Sequence, residues 1–396
     1  MERATDTPSK LVIIVLAIAA GAIVANLYYS QPLLAVMGGE FTQYAKLVGL
    51  VPTLTQVGYA IGLLLLVPLG DSHERRGLIV KMTLLVAFAL FAVAYSPTFW
   101  WLLGSSFLLG VLTIVPQLVV PFSASLVGPN SRGRLVGQVM SGLLVGIILS
   151  RTLSGYAGAY IGWHTIYLLA AAAMLVLAAV LYITLPHQLP PSPVPYGELL
   201  ASLRNLAWNE PVLRRHSLIG ALGFGAFSAF WTSLVFHLGH LSSAYGSQTV
   251  GTFGLLGVSG ALIAPISGRF SDRYGAKLIN GTALALVVIA FITMWVGRTS
   301  LAAIALGTIL LDAGAQGSHI SNQTRIYALH PGLRNRLNAV YMFCFFIGGA
   351  IGSGAGFFLW QKWGWAGVCL LGGGFGLAAL GALFLMHRKE ELAAEA

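Results

Sequence analysis

The sequence predicts an all-α membrane protein: twelve transmembrane helices in two six-helix bundles related by a pseudo-two-fold axis. Composition, the length of the apolar runs and an internal repeat predict it. A chain that is 57% hydrophobic and only 9% charged cannot hide its apolar surface inside a water-soluble shell. Most of its 396 residues fall into apolar runs near the length of about 20 that a bilayer core demands, separated by short charged or Gly/Pro-containing breaks. Shifting the chain by 202 residues aligns Arg132 with Arg334, Arg134 with Arg336, Met140 with Met342, Gly146 with Gly348, Gly162 with Gly364 and Trp163 with Trp365.

The spans lie near 11–36, 47–69, 78–95, 98–127, 135–161, 164–185, 216–238, 247–268, 279–297, 300–327, 337–360 and 364–386. The first is no cleavable signal, because no short apolar core is followed by a small-residue cleavage site and the run continues through Asn26 and Tyr29. Residues 1–185 form one bundle and 216–396 the other. Between them, 186–215 carries "HQLPPSPVPYGELLASLRNLAWNEPVLRR", a polar linker with a short surface helix expected over 197–208. Both cysteines, Cys344 and Cys369, lie inside spans, so no disulfide framework, metal pattern or cofactor is expected, and nothing points to enzyme chemistry.

Eighteen of the 22 lysines and arginines fall on one side of these spans. Only Lys46, Arg298 and Lys362 fall on the other, and Arg151 sits inside span five. The positive-inside rule then places both termini in the cytoplasm. The net charge of +10 is a topological signal, suited to anionic lipid heads and not to nucleic acid.

The loop after span eight reads "GRFSDRYGAK" and the loop after span two "PLGDSHERRG". With the repeat, these resemble the major facilitator superfamily, whose corresponding loops carry G-x-x-x-D-R-x-G-R/K. The second copy matches at Gly268, Asp272, Arg273, Gly275 and Lys277; the first keeps Asp71, Arg75 and Arg76 but has Ser72 and Glu74 where the pattern has Arg and Gly. The resemblance implies that Asp71, Arg75, Arg76, Asp272, Arg273 and Lys277 form a gate, made only when the cytoplasmic side is shut. Span five carries a stripe of small residues at Gly142, Gly146, Ser150, Ser154 and Gly158 that suits close helix packing. It is similar to the fifth-helix motif of drug:proton antiporters at Gly137, Gly146, Ser150, Ser154 and Gly155, except that Arg151 stands where that motif has proline. The wording "NLYYSQPLL" at 26–34 is similar to bacterial efflux permeases of sugars or drugs.

Span ten, "GTILLDAGAQGSHISNQTRIY", places a carboxylate in hydrocarbon. A midplane acid costs on the order of 3 kcal/mol and persists where it faces a cavity or partner. Gln316, His319 and Gln323 follow Asp312 at i+4, i+7 and i+11, one polar stripe on one helix face. Asp312 is thus expected to couple protons, with Arg151 as its ion-pair partner and His319 as a relay candidate. The resemblance puts spans one, four, seven and ten around a central cavity, which implies substrate contacts at Asn26, Tyr28, Tyr29, Gln117, Trp231, Thr232 and Gln316. The expected function is export of a small organic solute, drug-like or sugar-like, in exchange for protons, by a monomer in a bacterial-type inner membrane. A proton-independent facilitator or an uptake symporter is the alternative, and a receptor or scaffold on the same fold a more distant one.

Overall fold

The computed structural model describes residues 9–189, 195–330 and 333–394. Arg3 and the side chains of Arg388 and Lys389, three of the eighteen basic residues counted above, and the side chain of Asp272, an expected gate residue, lie outside the described residues. Prolines decide where the first and fourth spans break. Span one is two helices, α1 (Lys10–Ala25) and α2 (Ser30–Glu40). Pro32 has no N–H for the Tyr28 carbonyl, which instead accepts from Gln31 N at 3.3 Å, and Asn26, Leu27 and Tyr28 each bond three residues back. After α3 (Leu50–Leu65) and α4 (Arg75–Ala94), Pro116 breaks span four into α5 (Phe99–Leu112) and α6 (Val115–Ser125).

Spans five and six are α7 (Pro129–Tyr160) and α8 (Trp163–Thr184), and the linker carries α9 (Tyr196–Asn209). The second half follows as α10 (Pro211–Leu241), α11 (Ser247–Gly254), α12 (Val258–Tyr274), α13 (Ala276–Val296), α14 (Leu301–Tyr327) and α15 (Arg334–Ala394). A short 3-10 turn, Leu255–Gly257, joins α11 to α12 within span eight. Among the described residues eleven segments are long and apolar enough to cross a membrane, because the last two expected spans are fused in α15. They turn at Gly364, whose φ of 60° is closed to most side chains. Its repeat mate Gly162, at φ 82°, ends α7 in the same way, so the repeat preserves a backbone requirement as well as residue letters.

The small-residue stripes become close helix contacts. Gly142 and Gly146 on α7 lie against the backbone of Ala17 and Gly21 on α1; in the second half Gly348 and Gly352 lie against Ala221 and Gly225 on α10. On the face opposite the arginine-rich one, the halves are sealed. Thr152 Oγ1 donates to the Gly251 carbonyl at 3.0 Å, Tyr160 OH to Gln248 Oε1 at 3.1 Å, Thr53 Oγ1 to Ser353 Oγ at 3.2 Å, and Gln361 Nε2 to the Lys46 carbonyl at 2.9 Å.

On the basic face, α9 touches both halves: Tyr196 OH donates to the Leu65 carbonyl at 2.7 Å, and Arg336 Nη1 donates to Ser202 Oγ at 2.9 Å. The departure of the first loop from its pattern also has a structural account. Gly275, at φ 87°, starts α13 through a backbone conformation. At the corresponding place Glu74 keeps an ordinary φ of −60° and caps α4 with its carboxylate, which accepts from Arg76 N at 2.9 Å and Gly77 N at 2.6 Å.

Candidate functional site: a central cavity with a buried acid and cation

A cavity of about 920 Å³ lies between the halves. It runs from Arg151 and Asp312 to the basic face, where Asp71, Arg75, Arg132, Arg334 and Arg336 line it. One wall is apolar and belongs to α7, through Met140, Leu143, Leu144, Ile147 and Ile148. Another is aromatic, built from Phe224, Phe227, Phe345 and Phe346. Helical periodicity supplies the polar wall: Asp312, Gln316, His319 and Gln323, one face of α14, all line the cavity.

Asp312 is 5% exposed and accepts a hydrogen bond from Trp231 Nε1 at 3.2 Å. Its other oxygen, Oδ2, lies beside Gly257, where a Cβ would come within 3.1 Å of it. Gly257, at the end of the 3-10 turn in span eight, thus leaves room for the acid by having no side chain. Arg151 is 1% exposed. Its Nε donates to Gln31 Oε1 at 2.7 Å, and its guanidinium carbon lies over Trp231, Tyr28 and Phe227, at 4.2, 4.7 and 5.3 Å from the ring centroids. Three π faces and an amide oxygen stabilise a cation that hydrocarbon alone could not hold. Arg151 Nη2 is buried with no hydrogen-bond partner.

Asp312 and Arg151 act on each other electrostatically, yet no nitrogen of Arg151 comes within 4.0 Å of an Asp312 oxygen. The expected contact ion pair is not formed in this conformation. Trp231 touches both groups, giving its edge to the acid and its face to the cation.

Of the other expected contacts, Tyr28, Gln117 and Gln316 line the cavity, whereas Asn26, Tyr29, Trp231 and Thr232 do not. Asn26 Nδ2 donates to Met174 Sδ at 3.8 Å, Tyr29 packs edge-on against Tyr167 at 6.2 Å, and Thr232 shares a hydrogen bond of 2.8 Å with Ser353. The resemblance names the helices around the cavity but not which face of each looks inward. His319 bonds Tyr341 OH through Nδ1 at 3.0 Å and stands about 10 Å of helix from Asp312, so no direct relay exists here.

Sequence reading missed Gln31, Phe227 and Asn338. Gln31 had a signal, a polar residue beside a proline in an apolar span. Asn338 and Gln117 make a hydrogen-bonded bridge between the halves: Asn338 Nδ2 donates to Gln117 Oε1 at 3.2 Å, and Gln117 Nε2 donates to Tyr59 OH at 3.2 Å. Within the second half, Gln323 Nε2 and Tyr327 OH both donate to Asn338 Oδ1, at 3.2 and 2.9 Å.

The expected gate residues are dispersed in this conformation. Asp71 lies 3.8 Å from Arg75, whose Nε donates to the Gly70 carbonyl at 3.1 Å. Arg76 bonds the Tyr182 carbonyl and lies over the Tyr182 ring at 4.6 Å, which fastens it to α8. Arg273 lies over Tyr274 at 5.2 Å, and Lys277 is half-buried in the first turn of α13. These contacts stay within one half.

Comparison with known proteins matches this architecture. The family model of the Major Facilitator Superfamily fits residues 16–353 and 240–396. The chain is 40% identical over 391 residues to "Uncharacterized transporter YgaY" of Escherichia coli O157:H7, covering 98% of this chain and 99% of that one. It is 32% identical over 367 residues to "Probable transporter SCO4007" of Streptomyces coelicolor, covering 92% and 85%. Among solved structures, a peptide transporter POT in complex with alafosfalin superposes with a TM-score of 0.75 at 14% identity, covering 94% of this chain and 93% of that one. The human organic anion transporter MFSD10 gives 0.70 at 19%, covering 96% and 100%. With its apolar membrane-length segments, an internal repeat and a cavity between the halves, the chain is a multi-pass membrane transporter, not an enzyme, and it belongs to the Major Facilitator Superfamily.

Proposed function

We propose that this transporter exports a small amphipathic organic solute in exchange for protons across a bacterial inner membrane, with the basic face and both termini cytoplasmic. The observation that carries the reading is Asp312, an acid at the floor of a cavity that reaches the basic face, with no contact ion pair to satisfy it. A structural anchor would be paired; a carboxylate with one oxygen free of donors is placed to exchange ligands. Solute donors and protons then compete for the same oxygen, which links loss of one to gain of the other. Arg151 shares the floor of the cavity with Asp312 without forming a contact ion pair with it. The apolar wall of α7 facing the polar stripe of α14 suits a solute with one face of each kind. Relatives named for efflux support the direction: a "Multi-drug resistance efflux pump PmrA homolog" of Lactococcus lactis is 24% identical over 281 residues, and a "Probable sugar efflux transporter" of Pasteurella multocida 23% over 330. In the opposite conformation, Asp71 and Asp272 close the basic face by contacts across the halves.

The test is a binding screen on the purified chain in lipid nanodiscs, in weak buffer with a pH-sensitive dye, against sugars, aromatic amines and drug-like dyes. A bound solute should release protons from the parent and none from Asp312→Asn. Binding with no proton movement in the parent would replace exchange by facilitation.

A further inference from the structure

Asp312 and Arg151 share one partner. Trp231 on α10 donates its indole N–H to Asp312 Oδ1 at 3.2 Å and presents its ring to the Arg151 guanidinium at 4.2 Å. It is wholly buried and off the cavity wall, so it touches the two charges without meeting a solute. From the other side Arg151 is held by Gln31 at 2.7 Å. A direct Arg–carboxylate contact would be a strong, often bidentate bond that resists protonation. That contact is absent here, and the indole is bonded to the one group and stacked on the other. Tryptophan suits this place because its N–H donates and cannot accept, so it bonds an ionised carboxylate more strongly than a neutral acid, while its face takes a cation.

We infer that Trp231 is a positioning residue for proton coupling: its N–H fixes the ionised Asp312 by Oδ1, its ring holds Arg151 out of contact, and Oδ2 stays available to a proton or a solute donor. The inference rests on the reading of Asp312 as the coupling acid.

Few other groups compete for this role. Tyr28, in the break between α1 and α2, presents its ring to Arg151 at 4.7 Å. On α14 and α15, His319 and Tyr341 bond each other toward the basic face. On α10, His216 lies near the basic end and His237 and His240 near the opposite end; Arg269 and Arg273 on α12, Lys277 on α13, Tyr327 on α14 and Arg334 on α15 lie at basic ends of their helices.

The test needs only protons as ligand. The full chain in lipid nanodiscs is titrated by infrared spectroscopy, and the protonated-carboxyl band lost in Asp312→Asn reports Asp312. Trp231→Phe keeps a ring near Arg151 and deletes the N–H. The band midpoint should then move to higher pH by about one to two units, the size of a lost hydrogen bond to a charged acceptor. In the parent chain, ultraviolet Raman bands sensitive to indole N–H bonding should change with the same midpoint, and Asp312→Asn should abolish the change. This second measurement decides the matter if Trp231→Phe does not fold. An unmoved midpoint in Trp231→Phe, or indole bands that stay constant through the carboxyl titration, overturns the role of Trp231 alone. If Asp312→Asn removes no titrating band, the coupling reading itself falls.

Discussion

The bridge between Gln117 and Asn338 should hold the basic ends of the two halves together, and Asn338→Ala should let them separate. Asn338 makes three side-chain bonds, of which only the one to Gln117 crosses the halves. Both residues are half-buried and line the cavity, so water can replace the lost partner and no desolvated amide is left behind. The expected effect is therefore that of a net hydrogen bond, about 1 kcal/mol, or about a fivefold shift toward wider conformers. Spin labels at Arg134 and Ala328, exposed at the basic ends of α7 and α14, would read the separation by pulsed electron resonance, with Cys344 and Cys369 changed to serine. A double-mutant cycle with Gln117→Ala removes the contributions of Gln323 and Tyr327, which do not cross the halves. A distance distribution in Asn338→Ala equal to that of the parent, with zero coupling in the cycle, would refute the bridge.

Asp312→Asn should keep solute binding and exchange while abolishing accumulation driven by a proton gradient; a variant that accumulates solute as well as the parent removes Asp312 from coupling. Asp71→Ala and Asp272→Ala should each raise labelling of a cysteine at Met140 in the cavity wall, since the contacts they lose belong to the basic-side-closed state; unchanged labelling in both argues against the gate. Glu74 provides a pH test outside the membrane. Partial burial works to raise its carboxyl, but the backbone N–H groups of Gly77, Gln188 and Arg76, with His187 nearby, outweigh this and hold it below the usual carboxylate range. Its cap is fully stabilising above the unfolded-state value and is lost as pH falls through the folded one. Glu74→Gln should thus cost about 0.5–2 kcal/mol at neutral pH and little in acid, by thermal unfolding in detergent. A cysteine at Lys46 or Lys362 should be labelled by a membrane-impermeant reagent from outside the cell; labelling only from the cytoplasmic side would invert the topology.

Much of this protein was legible in one dimension because the bilayer acts on composition. Apolar length selects spans, the lysine and arginine positions divide the loops, and the repeat pairs Gly162 with Gly364 because both must take a positive φ. The stripe of Asp312, Gln316, His319 and Gln323 could be read from spacing alone, since an α-helix maps a period of 3.6 residues onto one face and a polar face cannot point at lipid. Tertiary structure decided the rest. Which face of span one or seven looks inward depends on the break that Pro32 imposes and on how α10 packs against α15, so Asn26, Tyr29 and Thr232 turned to their own neighbours while Gln31 reached Arg151. The surroundings of Asp312 and Arg151 are likewise invisible in sequence, because Trp231, which touches both, stands 81 and 80 positions from them and meets them only through the packing of the folded chain.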